Sequence, residues 1–203
     1  SLHVRVLNVN IKCMKFKYWF LPAFLLLFPL FLCGQGVTDG EIKETNDKNN
    51  LKLQPAPEIG EKVKEIEYPN PEGEKINLSS LRGKVVLIEF WASWCYPCRY
   101  ENPELVKVYH EYKNKQFKEG NGFTIYSISL DKKHKHWVKA IKKDKLAWPY
   151  HVSALKGWEC PVSYLYGVAS IPANFLINRE GIVISKNLKA EDLKRTLDSI
   201  VIK

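Results

Sequence analysis

The sequence predicts an α/β sandwich, and three observations carry that prediction. Two apolar segments, Val85 to Phe90 and Phe123 to Leu130, each lead into a stretch whose apolar residues recur at helical spacing, the order of strand–helix units in a layered sheet. Two short apolar runs, Ala173 to Asn178 and Ile182 to Lys186, flank Glu180-Gly181 and read as a hairpin. A last amphipathic stretch, Ala190 to Val201, reads as a closing helix. With 203 residues, 45% of them hydrophobic and 12% aromatic, the chain has enough apolar surface for one packed domain plus extra segments.

Taken in order, the chain opens with residues that do not look like fold. Met14, its only methionine, begins the basic patch Met14-Lys15-Phe16-Lys17, and Tyr18 to Cys33 is then almost wholly apolar. That run of 16 residues, interrupted by Pro22 and Pro29, is shorter than the roughly 20 residues of a membrane span and suits the apolar region of an export signal. Residues 1–13 precede this complete signal and are expected to come from an upstream-extended reading frame. Residues 14–34 are expected to be a signal peptide or a lipoprotein signal. Gly34-Gln35-Gly36 offers small residues for ordinary cleavage, whereas Cys33, with Leu30 three residues earlier, is a candidate for lipidation weakened by the large Leu32. An uncleaved anchor is the third possibility, and all three put the protein outside the cytoplasm of a bacterium. Residues 35–54 are polar and rich in Asn and Lys without hydrophobic periodicity, as in a flexible linker, and the folded domain is expected over 55–203.

Val85 to Phe90 is nearly continuous in apolar character, as a central strand covered on both faces would be, and Glu89 is its exception. The strand runs directly into Trp91-Ala92-Ser93-Trp94-Cys95-Tyr96-Pro97-Cys98-Arg99. Two cysteines spaced C-x-x-C across a strand-to-helix turn can close a small disulfide ring, and the first thiol then points at a helix N-terminus, where partial positive charge stabilises a thiolate. The helix that follows should bury Leu105, Val106, Tyr109 and Tyr112, turn Lys107, Glu111 and Lys113 outward, and end before Gly120-Asn121-Gly122. Phe123 to Leu130 alternates and reads as a second central strand, Lys132 to Lys145 as a crossover helix, and the segment after Cys160-Pro161 as a short helix leading to Pro172.

The pattern F-W-A-x-W-C-x-P-C followed by a basic residue resembles the thioredoxin superfamily, most closely its extracytoplasmic TlpA/ResA-like thiol-disulfide oxidoreductases, an AhpC/TSA-redoxin-like group. The resemblance covers roughly Leu53 to Lys203. Glu89 stands where such proteins carry a buried carboxylate, Pro103 where they kink the active-site helix, and Ile171-Pro172 before Asn174-Phe175-Leu176-Ile177-Asn178 where they carry a cis-proline strand. Gly73 and the stretch Asn77 to Lys84 resemble the family's N-terminal hairpin and lead-in to the first core strand. The implied fold is a thioredoxin-like three-layer α/β/α sandwich with a mixed central sheet and an N-terminal β-hairpin extension.

The implied activity is thiol-disulfide exchange, with reduction of protein disulfides outside the cytoplasm and cytochrome c maturation as the family's setting. Cys95 would be the nucleophile and Cys98 the resolving thiol of a redox-active disulfide. A desolvated Glu89 would relay a proton to or from Cys98. Glu101 matches an acid that modulates thiol acidity in ResA-like members, although a first-turn acid on the helix dipole explains it equally well. Ile171 and Pro172, with Trp94, Tyr96 and Pro97, would form the substrate-binding surface, and Trp91 would belong to the core. Tyr96-Pro97 carries no histidine, which leans the pair toward a reductant or mild oxidant. No cofactor is implied; the partners would be protein disulfide substrates and a membrane electron donor of thiol-reductase type, with membrane association through lipid or an uncleaved anchor.

Other chemistries fit less well. A zinc half-site would need two further ligands, and no second C-x-x-C or paired-histidine motif exists. A peroxiredoxin-type enzyme would show P-x-x-x-T-x-x-C around one cysteine, and a Sco-like copper-binding factor C-x-x-x-C with a distant histidine; the chain has neither. Formal charge is +9, of which four basic residues and no acid fall in 1–34, leaving a modest excess of +5 that is spread along the rest. Lys132-Lys133-His134-Lys135-His136 and Lys142-Lys143 overlie Trp137, Ala140 and Ile141 at helical spacing, so they read as a solvated helix face and no nucleic-acid partner is expected. His134 and His136, two apart on a helix, diverge and make no metal site. Cys160, left over, reads as a packed structural thiol.

Overall fold

The computed structural model describes residues 52–202. The export signal expected at 14–34, its candidate lipidation residue Cys33 and most of the 35–54 linker lie outside the described residues. Within them the chain opens with a hairpin, β1 (Glu67–Pro69) and β2 (Lys75–Asn77). A 3-10 turn at Leu78–Leu81 leads to β3 (Val85–Trp91), every residue of which is buried. The active-site turn and α1 (Tyr96–Tyr112) follow, then a small hairpin of β4 (Gln116–Phe117) and β5 (Gly120–Asn121). β6 (Phe123–Ser129), α2 (His134–Lys143) and β7 (Tyr150–Ser153) form the crossover unit. A 3-10 turn at Gly157–Glu159 and α3 (Pro161–Leu165) precede β8 (Ala173–Ile177), β9 (Val183–Lys186) and α4 (Ala190–Ile200).

Five strands form one mixed sheet in the order β7-β6-β3-β8-β9. β3 runs parallel to β6 and antiparallel to β8, so the dithiol loop leaves the carboxyl end of the most central strand. Alternation along β3 turns Glu89 and Phe90 to opposite faces. Phe90 packs against Tyr166 beyond α3 and against Phe175 of β8. α1 and α4 lie together, joined by Lys194 to Glu111 at 2.6 Å and by a short hydrogen bond from the Tyr112 hydroxyl to Asp198. The N-terminal hairpin is stitched to the sheet by buried tyrosines. The Tyr126 hydroxyl donates to the Ile76 carbonyl at 2.8 Å, and that of Tyr166 to the Lys64 carbonyl.

Several local expectations need correction. The α1 face that packs inward is Cys98, Asn102, Leu105, Val108 and Tyr112, whereas Val106 and Tyr109 are only half-buried. Helix α1 stops at Tyr112, short of the end expected before Gly120, and the hairpin β4–β5 follows over the remaining stretch. Gly120 belongs there because a Cβ would stand 2.7 Å from the Val85 backbone nitrogen, too close for any side chain. β6 is the central strand its sequence suggests, and its alternating polar residues Thr124, Ser127 and Ser129 are as buried as its apolar ones. β7, which carries only four residues, gave too little pattern to be read from the sequence.

Candidate active site

Cys95 is the N-cap of α1 and Pro97 sits in the first turn, where its missing N–H has no helical acceptor to satisfy. The two cysteines are joined in a disulfide. The Cys95 sulfur also accepts a hydrogen bond from the Cys98 backbone N–H at 3.2 Å, the contact an N-cap side chain ordinarily makes. Cys95 is 4% exposed and Cys98 fully buried, so a partner reaches the first sulfur and not the second. Pro103 lies inside α1, where it removes one backbone donor to the Arg99 carbonyl.

Glu89 occupies one row of the sheet with three other polar residues. Asn174 on β8 and Ser127 on β6 flank it in register, and His151 on β7 flanks Ser127. All four are buried. Burial pushes the Glu89 carboxyl up to about 7, the charge of Glu101 pushes the same way, and the Ser127 hydroxyl at 3.5 Å opposes them. Ser127 is itself held by the Trp148 indole N–H at 2.8 Å. The His151 ring lies against Trp148, and its nitrogens make no hydrogen bond of ordinary geometry; burial brings its pKa down to about 4.

A cavity of about 780 Å³ opens beside the dithiol and brings together Glu89, Tyr96, Pro97, Glu101 and Pro172. Its far wall, Asn187 to Lys189, is pinned by Asn174, whose side chain both donates to and accepts from the Leu188 backbone at 2.8 Å. The Ile171–Pro172 peptide is cis, with Ile171 half-buried. Trp94 does not line this cavity. It stands 54% exposed, against Trp158 with ring centroids 6.3 Å apart. Trp91 is buried in the core.

Two polar clamps that the sequence did not reveal hold the turn. The Asp131 carboxylate accepts from the Ser93 N–H at 2.8 Å, from the Ser93 hydroxyl at 2.5 Å and from the Ser129 hydroxyl at 2.7 Å. The Arg99 guanidinium grips Asp144 through two nitrogens and donates to the Ser93 carbonyl at 2.9 Å, while Asn102 donates to the same Asp144 at 2.7 Å. Partners 38 and 45 residues apart leave no local pattern that would announce them. Cys160 is a buried free thiol whose pKa burial raises, and among the described residues no group of three His, Cys, Asp or Glu side chains is disposed to hold a metal. No helix among the described residues is long and apolar enough to cross a membrane.

Comparison with known proteins gives one consistent result. The model of the AhpC/TSA family matches residues 59–186. The thiol-disulfide oxidoreductase ResA of Bacillus thuringiensis subsp. konkukian (strain 97-27) is 33% identical over 141 residues, covering 70% of this chain and 75% of that protein. The thioredoxin-like protein YneN of Bacillus subtilis (strain 168) is 28% identical over 148 residues, covering 73% and 79%. Among solved structures, the thioredoxin domain of a thiol-disulfide oxidoreductase from Bacteroides vulgatus superposes with a TM-score of 0.64 at 33% identity, covering 71% of this chain and 98% of that one. A thiol-disulfide oxidoreductase from Bacteroides fragilis NCTC 9343 gives 0.61 at 33% identity, covering 68% and 98%.

Proposed function

The chain belongs to the AhpC/TSA family and is a thiol-disulfide oxidoreductase of the thioredoxin superfamily, ResA-like, and from that premise we propose that it reduces protein disulfides outside the cytoplasm through Cys95 and Cys98. The observation that carries this reading is the first sulfur capping a helix in front of a fully buried second one. In the reduced enzyme the Cys95 thiolate attacks one sulfur of a substrate disulfide. A bond forms between them, and the other substrate sulfur leaves as a thiolate that takes a proton from water. Cys98 then gives up its proton and attacks the Cys95 sulfur, which closes the ring and expels the second substrate thiol. Two electrons have passed to the substrate, and a membrane dithiol donor must restore them.

Glu89 is the group proposed to accept the Cys98 proton, because its carboxyl, held near 7, takes and returns protons close to neutrality. Glu101 acts on that carboxyl through its charge. Tyr96, Pro97, Ile171 and Pro172, with Trp94, are the proposed contact surface for the substrate chain. Export through residues 14–34, attachment through Cys33 or an uncleaved anchor, and cytochrome c maturation as the process served complete the reading. The test is the reduction potential of the Cys95/Cys98 pair in thiol buffers, read by tryptophan fluorescence, with no transition in Cys98→Ser. A value near or below about −250 mV is expected, and one near about −120 mV would overturn the reducing direction.

A further inference from the structure

The exposed aromatic rings around the dithiol are not all on the side of the Glu89 cavity. Trp94 and Trp158, the latter 40% exposed, frame a separate groove of about 350 Å³ whose remaining lining includes Lys132, Lys133, His136 and Gly157. Gly157 has a left-handed backbone, and the aliphatic stem of Lys132 lies where its side chain would be. The groove therefore has an apolar floor under a rim of basic groups.

The charges on that rim are unequally committed. Lys132 is paired with Glu159 at 3.6 Å, and Asp131 is buried and spent on Ser93 and Ser129. Lys133 makes no ion pair among the described residues. Beyond His136 a smaller depression continues along α2 past Arg99, Lys139 and Lys143, and α2 itself contains no acid. The Glu89 cavity, by contrast, sets Glu101 and the buried Glu89 against Lys189. The groove beside Trp94 is thus the flank with the basic excess, and a polypeptide lying in it meets a positive rim.

Resting on the disulfide-reductase reading, we propose that this groove receives the substrate chain beside its reacting cysteine and selects a segment carrying an apolar side chain next to acidic ones. Continuity fixes the occupant as the substrate itself: Trp94 immediately precedes Cys95, so whatever fills the groove lies against the chain joined in the mixed disulfide. The aromatic pair takes the apolar side chain, and Lys133 with His136 faces the acids.

The test uses the reduced protein and two peptide disulfides of equal length, one with a leucine and two aspartates beside its cysteine and one with the aspartates replaced by lysines. The acidic peptide is expected to be reduced at least about tenfold faster at low ionic strength, with the ratio shrinking toward about two in 0.5 M salt as the charges are screened. Lys133→Glu should bring the ratio to about one, and Trp158→Ala should remove the advantage of leucine over serine in the acidic peptide. Equal rates for both peptides in the unmodified protein would overturn the groove assignment while leaving the reductase reading intact. Failure to reduce either peptide would instead overturn the reductase reading. Sedimentation with phosphatidylglycerol vesicles, lost in Lys133→Glu and accompanied by equal peptide rates, would assign the basic rim to a membrane surface and also sink the proposal.

Discussion

Replacing Glu89 by glutamine should stabilise the oxidised protein, and only at neutral and alkaline pH. The carboxyl has an ordinary pKa of 4.5 and about 7 in the fold, because 3% exposure leaves its charge without water and Glu101 adds repulsion. At about 1.4 kcal/mol per decade of proton affinity, ionising it inside the protein costs the folded state about 3 kcal/mol. The sign follows from which state holds the proton. Between pH 4.5 and about 7 the folded chain keeps it and the unfolded chain has released it, so raising the pH through that window weakens the fold. Glutamine keeps the shape and removes the ionisation. Urea unfolding of both proteins from pH 4 to 8.5 should therefore give a difference near zero at the acid end, rising to about 3 kcal/mol above pH 7. A difference that stays flat across the range would refute the argument, since it would mean that Glu89 ionises as it does in water.

His151 should act in the opposite sense. Its pKa falls from 6.5 to about 4 on burial, so the stability gained by keeping it neutral is complete above pH 6.5 and is lost as pH falls toward 4; His151→Phe should flatten that acid limb, worth about 3 kcal/mol at its foot, in the same urea series. Asp144→Asn removes the charge that holds Arg99 and thereby the tie from α1 to α2, and should cost about 2 kcal/mol, seen calorimetrically as a Tm lower by about 4 to 8 °C. Iodoacetamide added to the reduced native protein should modify one thiol quickly, mapped by mass spectrometry to Cys95, while Cys98 and Cys160 react only on unfolding.

The parts of the fold that were legible in the sequence are those set by local pattern. Val85 to Phe90 reads as a central strand because its run is almost wholly apolar, and the buried strand extends one residue further to Trp91; the cysteine spacing located the helix start. The residues expected at the site from their motifs also come together, Glu89, Tyr96, Pro97, Glu101 and Pro172 lining one cavity. What was hidden depends on partners brought together only by folding. Ser127 and His151 look like ordinary strand residues until register sets Ser127 beside Glu89 and His151 beside Ser127. Asp131 and Asp144 carry no local signal, yet Asp131 is tied to Ser93 and Asp144 to Arg99, which in turn holds the Ser93 carbonyl. Trp158 gave no signal because its meaning lies in facing Trp94, 64 positions earlier in the numbering. In the sequence the basic run before Trp137 reads as a solvated face, because the groove it rims exists only once the turn at Gly157 is in place.

The complete burial of Cys98 behind Cys95 has a consequence for how tolerant this protein can be of its partners. A sulfur that no outside molecule reaches can act only on the bond its neighbour has just made. Every covalent complex the enzyme enters therefore carries its own exit, which opens whether or not the captured chain was the right one. A wrongly chosen partner is let go after a short delay and does not inactivate the enzyme, so the first encounter can be permissive without becoming a trap.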